Sequence, residues 1–271
     1  MIATYFTLKD GTQLGKVGLG VWQLHGKALT EVMHTALAWG YKHIDCAALY
    51  GNEAEVAAAV RSSSVDVSSV RITTKVWNDD VRAGTTMEAI DRSRRELATD
   101  RLDICLIHWP VMGLEKAWET LLRAQQDEKV ETIGVSNFLP RHLDRLRTVN
   151  DHLPAINQFE HHPWLSQKPL LQATLSHEAL PVAHTPLMQG NFQQVAALKS
   201  IGLRHGKSPA QILLRWNLEQ GIAVIPKTSN GHRVKQNIAL FDFSLSKEEM
   251  LLIAEETTTR RFSGDPTNID F

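Results

Sequence analysis

The stretch ALTEVMHTALAWGYKHIDCAALY, residues 28–50, contains the pattern that decides the fold. Before Gly40, which predicts the end of a helix, its apolar side chains share one helix face: Leu29, Val32, Met33, Ala36 and Leu37. A short strand, His43–Asp45, follows at once. An amphipathic helix followed directly by a short buried strand is typical of a parallel sheet covered by helices.

The same alternation recurs along the whole chain. Eight segments are predicted as strands: Val17–Leu19, His43–Asp45, Val70–Lys75, Leu102–Ile107, Val130–Val135, Ala155–Gln158, Leu180–Ala183 and Ile222–Ile225. Most are β-branched or apolar throughout, which suits strands that are buried on both faces. Each is followed by at least one helical segment. Because β-α-β crossovers are right-handed, the pattern predicts an α/β fold of the (β/α)8 TIM-barrel type.

Local signals refine this prediction. Three pairs of residues have the spacing of a helix capping box: Ser208 with Gln211, Thr85 with Glu88, and Ser246 with Glu249. Near the N-terminus, Asp10-Gly11 joins two extended pieces of Tyr5–Leu14, and this turn chemistry predicts a β-hairpin that closes the N-terminal end of the barrel.

A chain of 271 residues could form one domain or two. No composition shift or flexible linker divides it, so we expect a single domain over residues 1–271. The main alternative is a doubly wound open sheet, which would begin with GxGxxG. The glycine cluster GKVGLGVW at 15–22 lacks the third glycine, which disfavours that alternative.

Composition excludes several classes of protein. Hydrophobic residues make up 43% and charged residues 22%, as in a globular protein with a large core. The formal net charge of −1 argues against nucleic acid or a membrane surface as a partner. The two cysteines have no metal-binding or disulfide-framework spacing. The N-terminus has no signal-peptide pattern, and no apolar run approaches the roughly 18 residues of a membrane span, so we expect a cytoplasmic protein.

Reactive side chains end or follow several predicted strands, where a barrel gathers its catalytic groups. They are Asp45, Tyr50, Lys75, His108, Ser136, Asn137 and Gln158. Three tryptophans also follow strands and are expected to line a pocket: Trp22, Trp77 and Trp109. Taken singly, each polar residue fits an ordinary structural role, such as a helix cap or a solvated lysine. Together, on neighbouring strands, they predict one site.

Tyrosine, lysine, aspartate and histidine suit the protonation of an oxyanion. A tyrosine with a pKa of about 10 acts as a general acid more readily when a lysine ammonium stabilises its phenolate. A carboxylate keeps that desolvated lysine charged, and the histidine can orient the substrate oxygen. This is the proton transfer that accompanies hydride delivery to a carbonyl carbon.

The same residues carry a family resemblance. Asp45-x4-Tyr50, ITTKVW at 72–77 and DICLIHWP at 103–110 resemble the catalytic tetrad of the aldo-keto reductases. Further phrases resemble that family in the same order along the chain: GLGVWQL at 18–24, IGVSNF at 133–138, NQFEHHP at 157–163 and IPKTSNGHRVKQN at 225–237. Among its branches the chain looks most like the shorter prokaryotic members, such as the 2,5-diketo-D-gluconate reductases.

The resemblance implies that Tyr50 is the general acid, that Lys75 and Asp45 tune it, and that His108 orients the carbonyl. It implies a cofactor site formed by Val21, Trp22, Ser136, Asn137, Gln158, His184, Thr185, Pro186, Leu187, Lys227, Thr228, Arg233, Gln236 and Asn237. The implied substrate site comprises Trp22, Trp77, His108 and Trp109. Lys227 and Arg233 also suit a phosphate, because they place two cations within seven residues at the start of a short helix. This favours NADPH (NADP+) over NADH.

Two departures from the family pattern affect the pocket. In VAHTPLMQG at 182–190, His184 replaces the usual aromatic ring at the nicotinamide and Thr185 replaces a common serine. Only Met188–Asn191 separates this loop from the next helical segment, and the tail RRFSGDPTNIDF at 260–271 is short. We therefore expect an open pocket with loose specificity.

The predicted function is NADPH-dependent reduction of aldehydes or ketones, with 2,5-diketo-D-gluconate, methylglyoxal or similar small carbonyls as substrates. The resemblance also implies a monomer. Alternatives are an NADPH-binding sensor with little turnover and a Schiff-base aldolase that uses Lys75. The adjacent pair His161-His162 could suggest a metal, but neighbouring strand residues point in opposite directions, so we predict no metal site.

Overall fold

The computed structural model describes residues 4–269, and its central element is a parallel sheet of eight strands. The strands in this part of the chain are β1 (Tyr5–Thr7), β2 (Gln13–Gly15), β3 (Leu19–Gly20), β4 (His43–Asp45), β5 (Arg71–Val76), β6 (Leu102–Ile107), β7 (Val130–Ser136), β8 (Ile156–Glu160), β9 (Leu180–His184) and β10 (Ala223–Val224). Strands β3 to β10 pair in chain order, while β1 and β2 form a separate antiparallel hairpin.

Hydrogen bonds between the first and last parallel strands curl the sheet round on itself. Gly18 N donates to Val224 O at 2.8 Å, and Gly20 N donates to Pro226 O at 3.2 Å. A Cβ at Gly20 would lie 2.9 Å from the Ile225 carbonyl oxygen, so this contact needs glycine. The predicted (β/α)8 barrel with an N-terminal hairpin is confirmed.

Helices cover the outside of the sheet. Those in the described residues are α1 (Gly26–Ala38), α2 (Glu53–Arg61), α3 (Asn78–Ala83), α4 (Thr86–Glu96), α5 (Leu114–Gln126), α6 (Pro140–Val149), α7 (Lys168–Ser176), α8 (Ala196–His205), α9 (Pro209–Glu219), α10 (Gly231–Ile238) and α11 (Lys247–Ala254). Short 3-10 turns lie at Ala48–Tyr50, Val67–Ser69 and Met188–Gln194. The five apolar residues predicted for the inner face of α1 are all buried. No helix within 4–269 is long and apolar enough to cross a membrane.

Two of the three predicted capping boxes form, at Ser208 and at Ser246. The prediction for Thr85 is wrong. Its hydroxyl donates to Asp80 Oδ1 at 2.9 Å, because α3 ends immediately before α4 and brings that carboxylate within reach. The first parallel strand, β3, is shorter than predicted and shifted towards Gly20, and the last, β10, is shorter than predicted. The reason is that these two strands meet mainly through isolated bridges.

The hairpin closes one end of the barrel. Thr12 Oγ1 lies 3.0 Å from Thr132 Oγ1 of β7, and the Thr132 hydroxyl donates to Asp10 Oδ2 at 2.7 Å. Leu8 and Leu14 pack with Ile104 and other apolar side chains of the barrel interior. With this end filled, the opposite end, where the parallel strands terminate, is free to form a site.

Candidate active site

A cavity of about 1570 Å³ lies at the C-terminal ends of the parallel strands. Every predicted site residue lines it except Lys75 and Val21. Lys75 lies directly beneath the cavity floor and contacts it through Tyr50. Val21 is fully buried, and its carbonyl accepts a hydrogen bond from Asn52 Nδ2 at 2.9 Å, which is a structural contact.

Asp45, Lys75 and Tyr50 form a connected group at the ends of β4 and β5. Lys75 Nζ donates to Asp45 Oδ2 at 2.7 Å and to the Cys46 carbonyl at 2.8 Å, and it lies 3.4 Å from the Tyr50 hydroxyl. Burial would lower the pKa of Lys75, but the Asp45 carboxylate reverses this effect and raises it above the ordinary value. Lys75 is therefore an ammonium held against the tyrosine.

The Tyr50 hydroxyl is subject to opposing effects. Burial raises its pKa above the usual value, while the positive charge of Lys75 lowers it and limits the increase. At neutral pH the hydroxyl keeps its proton, and the adjacent ammonium stabilises the phenolate that forms if that proton is given away. This is the electrostatic arrangement of a general acid.

His108 completes the cavity floor. Its ring makes edge contacts with Tyr50, at a centroid distance of 6.0 Å, and with Trp77, at 5.2 Å. Burial, with the nearby charge of Lys75, lowers its pKa well below the ordinary value, so the imidazole is neutral. Nδ1 is buried and has no hydrogen-bond partner among the described residues. The proton is therefore more stable on Nε2, where it can be donated to a substrate oxygen.

A group of amides and hydroxyls lies beside the floor. Gln158 Nε2 donates to Asp45 Oδ1 at 2.7 Å. Asn137, which adopts a left-handed backbone with φ of 62°, donates from Nδ2 to Ser136 Oγ and to the His108 carbonyl, each at 3.1 Å. These contacts join the polar wall of the cavity to its floor, so the amides are held in fixed orientations.

His184 lies where β9 ends and is half-buried in the same wall. Its Nε2 donates to Asn137 Oδ1 at 2.9 Å, and its Nδ1 lies 3.1 Å from Thr185 Oγ1. Burial lowers its pKa to about 4, so the ring is neutral near pH 7. The histidine that replaces the family's usual aromatic residue thus holds the Asn137 amide in place.

The far end of the cavity is basic. Lys227 and Arg233 are exposed, and both line the cavity with Thr228. The side chain of Asn230 caps α10 by accepting from the backbone amides of His232 and Arg233. An anion here would meet two cations and the positive end of a helix.

Part of the cavity wall was not predicted from the sequence. It is supplied by the 3-10 segment Met188–Gln194, by α8, by the start of α9 and by the C-terminal tail: Gln189, Gly190, Phe192, Gln193, Lys199, Ser208, Pro209, Ala210, Phe262, Ser263 and Gly264. Two others, Gln23 and Leu49, lie beside predicted residues at the ends of strands. The tail residues have no local motif, so only their tertiary contacts identify them.

His161 and His162 are both buried and point to different partners. His161 Nδ1 lies 2.8 Å from Asn217 Oδ1, and His162 Nε2 lies 2.8 Å from Glu160 Oε1. Within the described part of the chain, no group of three or more potential metal ligands occurs. The absence of a metal site remains a prediction.

Comparisons with known proteins identify the family of the chain. The sequence matches the Aldo/keto reductase family over residues 16–256, and the chain belongs to that family. The oxidoreductase YtbE of Bacillus subtilis is 41% identical over 271 residues, which cover 98% of this chain and 97% of YtbE. The methylglyoxal reductase DkgA of Salmonella typhimurium is 37% identical over 269 residues, with 97% of each chain covered. A crystal structure of an aldo/keto reductase from Brucella melitensis has a TM-score of 0.90 at 36% identity, covering 94% of this chain and 99% of that one.

Proposed function

We propose that this aldo-keto reductase reduces small aldehydes and ketones with NADPH and that Tyr50 is the proton donor. The observation that carries the proposal is the position of Lys75 Nζ, which lies between the Asp45 carboxylate at 2.7 Å and the Tyr50 hydroxyl at 3.4 Å. A buried ammonium held against a tyrosine at the floor of a cavity suits proton donation to an oxygen that gains negative charge.

The proton transfer follows from the same contacts. NADPH, when bound, supplies the hydride that reduces the carbonyl carbon. Tyr50 donates its proton to the carbonyl oxygen as negative charge develops there, and Lys75 stabilises the resulting phenolate. Asp45 keeps Lys75 protonated, and neutral His108 orients the oxygen through Nε2–H. The arrangement disfavours an aldolase, because the Lys75 side chain is fully buried and charged, whereas a Schiff base needs an accessible neutral amine.

The polar groups that line the cavity fit nicotinamide adenine dinucleotide phosphate. Asn137 Nδ2 already donates both of its hydrogens, to Ser136 Oγ and the His108 carbonyl, so the free groups are the Ser136 hydroxyl hydrogen, the remaining lone pair of Asn137 Oδ1 and the Gln158 amide. These groups supply the donors and acceptors that match a carboxamide. Thr185, Pro186 and Leu187 line the same cavity, as do the basic residues. There, Lys227 and Arg233 suit the 2′-phosphate that distinguishes NADPH from NADH.

The walls around the floor favour a compact carbonyl substrate. Trp77 contacts the His108 ring, the buried Trp109 lines the same cavity, and Trp22, also in the lining, is 47% exposed. Methylglyoxal and 2,5-diketo-D-gluconate are our proposed substrates. The relative DkgA is a methylglyoxal reductase, which supports the first of these.

The test is Tyr50→Phe, with Tyr5→Phe on the exposed hairpin as the matched control. Tyr50→Phe should bind NADPH normally and lose carbonyl reduction by about 10²–10⁴-fold, the usual contribution of a general acid. NADPH binding is measured by fluorescence titration and turnover by the loss of NADPH absorbance with methylglyoxal. Wild-type turnover in Tyr50→Phe would refute the proposed role. A wild-type protein that binds NADPH but oxidises none in stopped flow would instead support the sensor.

We further propose a monomeric, cytoplasmic protein that folds as one domain over residues 1–271 and does not bind nucleic acid. A single cooperative unfolding transition, a monomer mass in solution and fractionation of the native cells would test these points. Retention on a polyanion column at physiological salt would contradict the last of them.

A further inference from the structure

Glu160 lies in the phrase NQFEHHP but has no part in the chemistry proposed above. It is the last residue of β8, it pairs in register with His184 of β9, and its side chain is only 1% exposed. Gln158, two residues earlier on the same strand, faces the cavity floor. A buried carboxylate at this place needs partners, because a desolvated and unpaired charge is costly.

The partners of Glu160 come mainly from the C-terminal tail. Oε1 accepts from His162 Nε2 at 2.8 Å and from the Phe262 amide at 2.7 Å. Oε2 accepts from the Ser263 amide at 3.1 Å and from the Ser263 hydroxyl. These donors lower the pKa of Glu160 to about 2 against the opposing effect of burial, so the group stays a carboxylate.

These bonds hold a segment that has no regular structure. We call residues 257–264 the C-terminal strap, and they form neither helix nor strand. Thr258 donates from its amide and its hydroxyl to the Trp164 carbonyl, at 3.2 and 2.9 Å. The Arg260 guanidinium lies over the Trp164 and Phe262 rings. Side-chain contacts therefore determine where the strap lies.

The end of the strap forms part of the cavity wall. Phe262, Ser263 and Gly264 all line the cavity that contains Tyr50. The Phe262 carbonyl also accepts from Gln189 Nε2 at 3.0 Å, which links the strap to the neighbouring wall segment. Any shift of the strap would change the size and shape of the space above the catalytic floor.

We propose that Glu160 is a positioning residue that fixes the C-terminal strap as a wall of the cavity and so sets which carbonyl compounds bind productively. The inference rests on the proposed carbonyl reduction. Only a carboxylate can accept all four of these hydrogen bonds, because the four donors converge on its two oxygens. The isosteric amide of glutamine would direct its NH2 group at an N–H donor.

The test combines hydrogen exchange with kinetics on Glu160→Gln. The control is Glu119→Gln, the same change at an exposed position on α5. In Glu160→Gln the amides of Phe262 and Ser263 should exchange at least tenfold faster. At saturating NADPH, KM for methylglyoxal should rise about tenfold, the loss expected for a charge-assisted hydrogen bond, while kcat stays within about twofold. The ratio of kcat/KM between 4-nitrobenzaldehyde and methylglyoxal should shift by about the same factor.

Ser263→Ala provides a second variant from the strap side, and it removes one donor without touching β8. Both variants should raise KM by loosening the same contact. The increase in KM of the double variant should therefore be smaller than the product of the two single increases. Unchanged exchange at residues 262–263 in Glu160→Gln would overturn the proposal. An equal loss of kcat on all substrates with an altered pH profile would also overturn it, because Glu160 would then act on the catalytic group. If the wild type reduced no carbonyl, the proposed function would fail, whereas the exchange result would still test the strap.

Discussion

The ion pair beneath Tyr50 should make the stability of the protein depend on Asp45 in a pH-dependent way. Asp45→Asn removes the counter-charge of Lys75, whose side chain is fully buried. Removing one partner of a buried pair typically costs about 3–5 kcal/mol. The cost of the stranded charge has a ceiling, because Lys75 can release its proton. From an ordinary pKa of 10.5, that release costs about 5 kcal/mol at pH 7 and about 2 kcal/mol at pH 9.

The loss of stability in Asp45→Asn should therefore shrink by about 1–3 kcal/mol between pH 7 and pH 9, as deprotonation becomes less costly. In the wild type, the contribution of the Asp45–Lys75 pair to stability stays constant between pH 7 and pH 9. The raised pKa of Lys75 means that its contribution is complete below the unfolded value of 10.5 and is lost only as the pH rises through the folded value.

Urea unfolding of both proteins at pH 7, 8 and 9 measures this difference. Glu31→Gln is the matched control, because it breaks an exposed pair with Lys27 whose side chains are 67% and 89% accessible. That change should cost no more than about 0.5 kcal/mol at any of these pH values. If Asp45→Asn lowered the free energy of unfolding by less than about 1 kcal/mol, or by the same amount at each pH, the view that Asp45 keeps Lys75 charged would be refuted.

Three further predictions concern other parts of the cavity. Lys227→Ala should raise the dissociation constant of NADPH at least about tenfold and that of NADH less than about threefold in fluorescence titrations, and equal weakening would contradict a phosphate-binding role. Since the pKa of His184 is lowered to about 4, it stays neutral above pH 5.5. His184→Phe should then leave the pH profile of NADPH affinity unchanged between pH 5.5 and 8, and a wild-type inflection in this range that disappears in the variant would contradict this. The folded pKa of Glu160 is depressed from 4.5 to about 2, so its contribution is present above pH 4.5 and is lost as the pH falls towards 2. The difference in unfolding free energy between wild type and Glu160→Gln should be about 3 kcal/mol at pH 7 and decline below pH 4.5, and a constant difference would argue against the carboxylate contacts.

The strand positions could be predicted because each strand is a short local pattern. His43–Asp45 and Leu102–Ile107 have the observed bounds, and the other parallel strands overlap their predicted ranges. Parallel strands end at the same side of a sheet, so Asp45, Lys75 and His108 had to converge once the strands were assigned. The chemistry of the floor thus follows from local sequence and one topological rule.

The capping prediction at Thr85 shows where local reasoning fails. The spacing to Glu88 fits a capping box, but the hydroxyl bonds to Asp80, which the turn between α3 and α4 brings close. The same argument applies more strongly to the strap. Ser263 lies 103 positions from Glu160 in the sequence, and no periodicity or spacing rule connects residues so far apart.

The two parts of the cavity therefore differ in how they depend on the fold. The floor is formed by side chains on paired strands, whose positions are fixed by backbone hydrogen bonds that every sequence of this fold makes. The strap is held by side-chain contacts, so a few substitutions can move it without disturbing the barrel. If Glu160 determines its place, substrate choice can change through this carboxylate and its donors while Tyr50, Lys75 and Asp45 remain as they are.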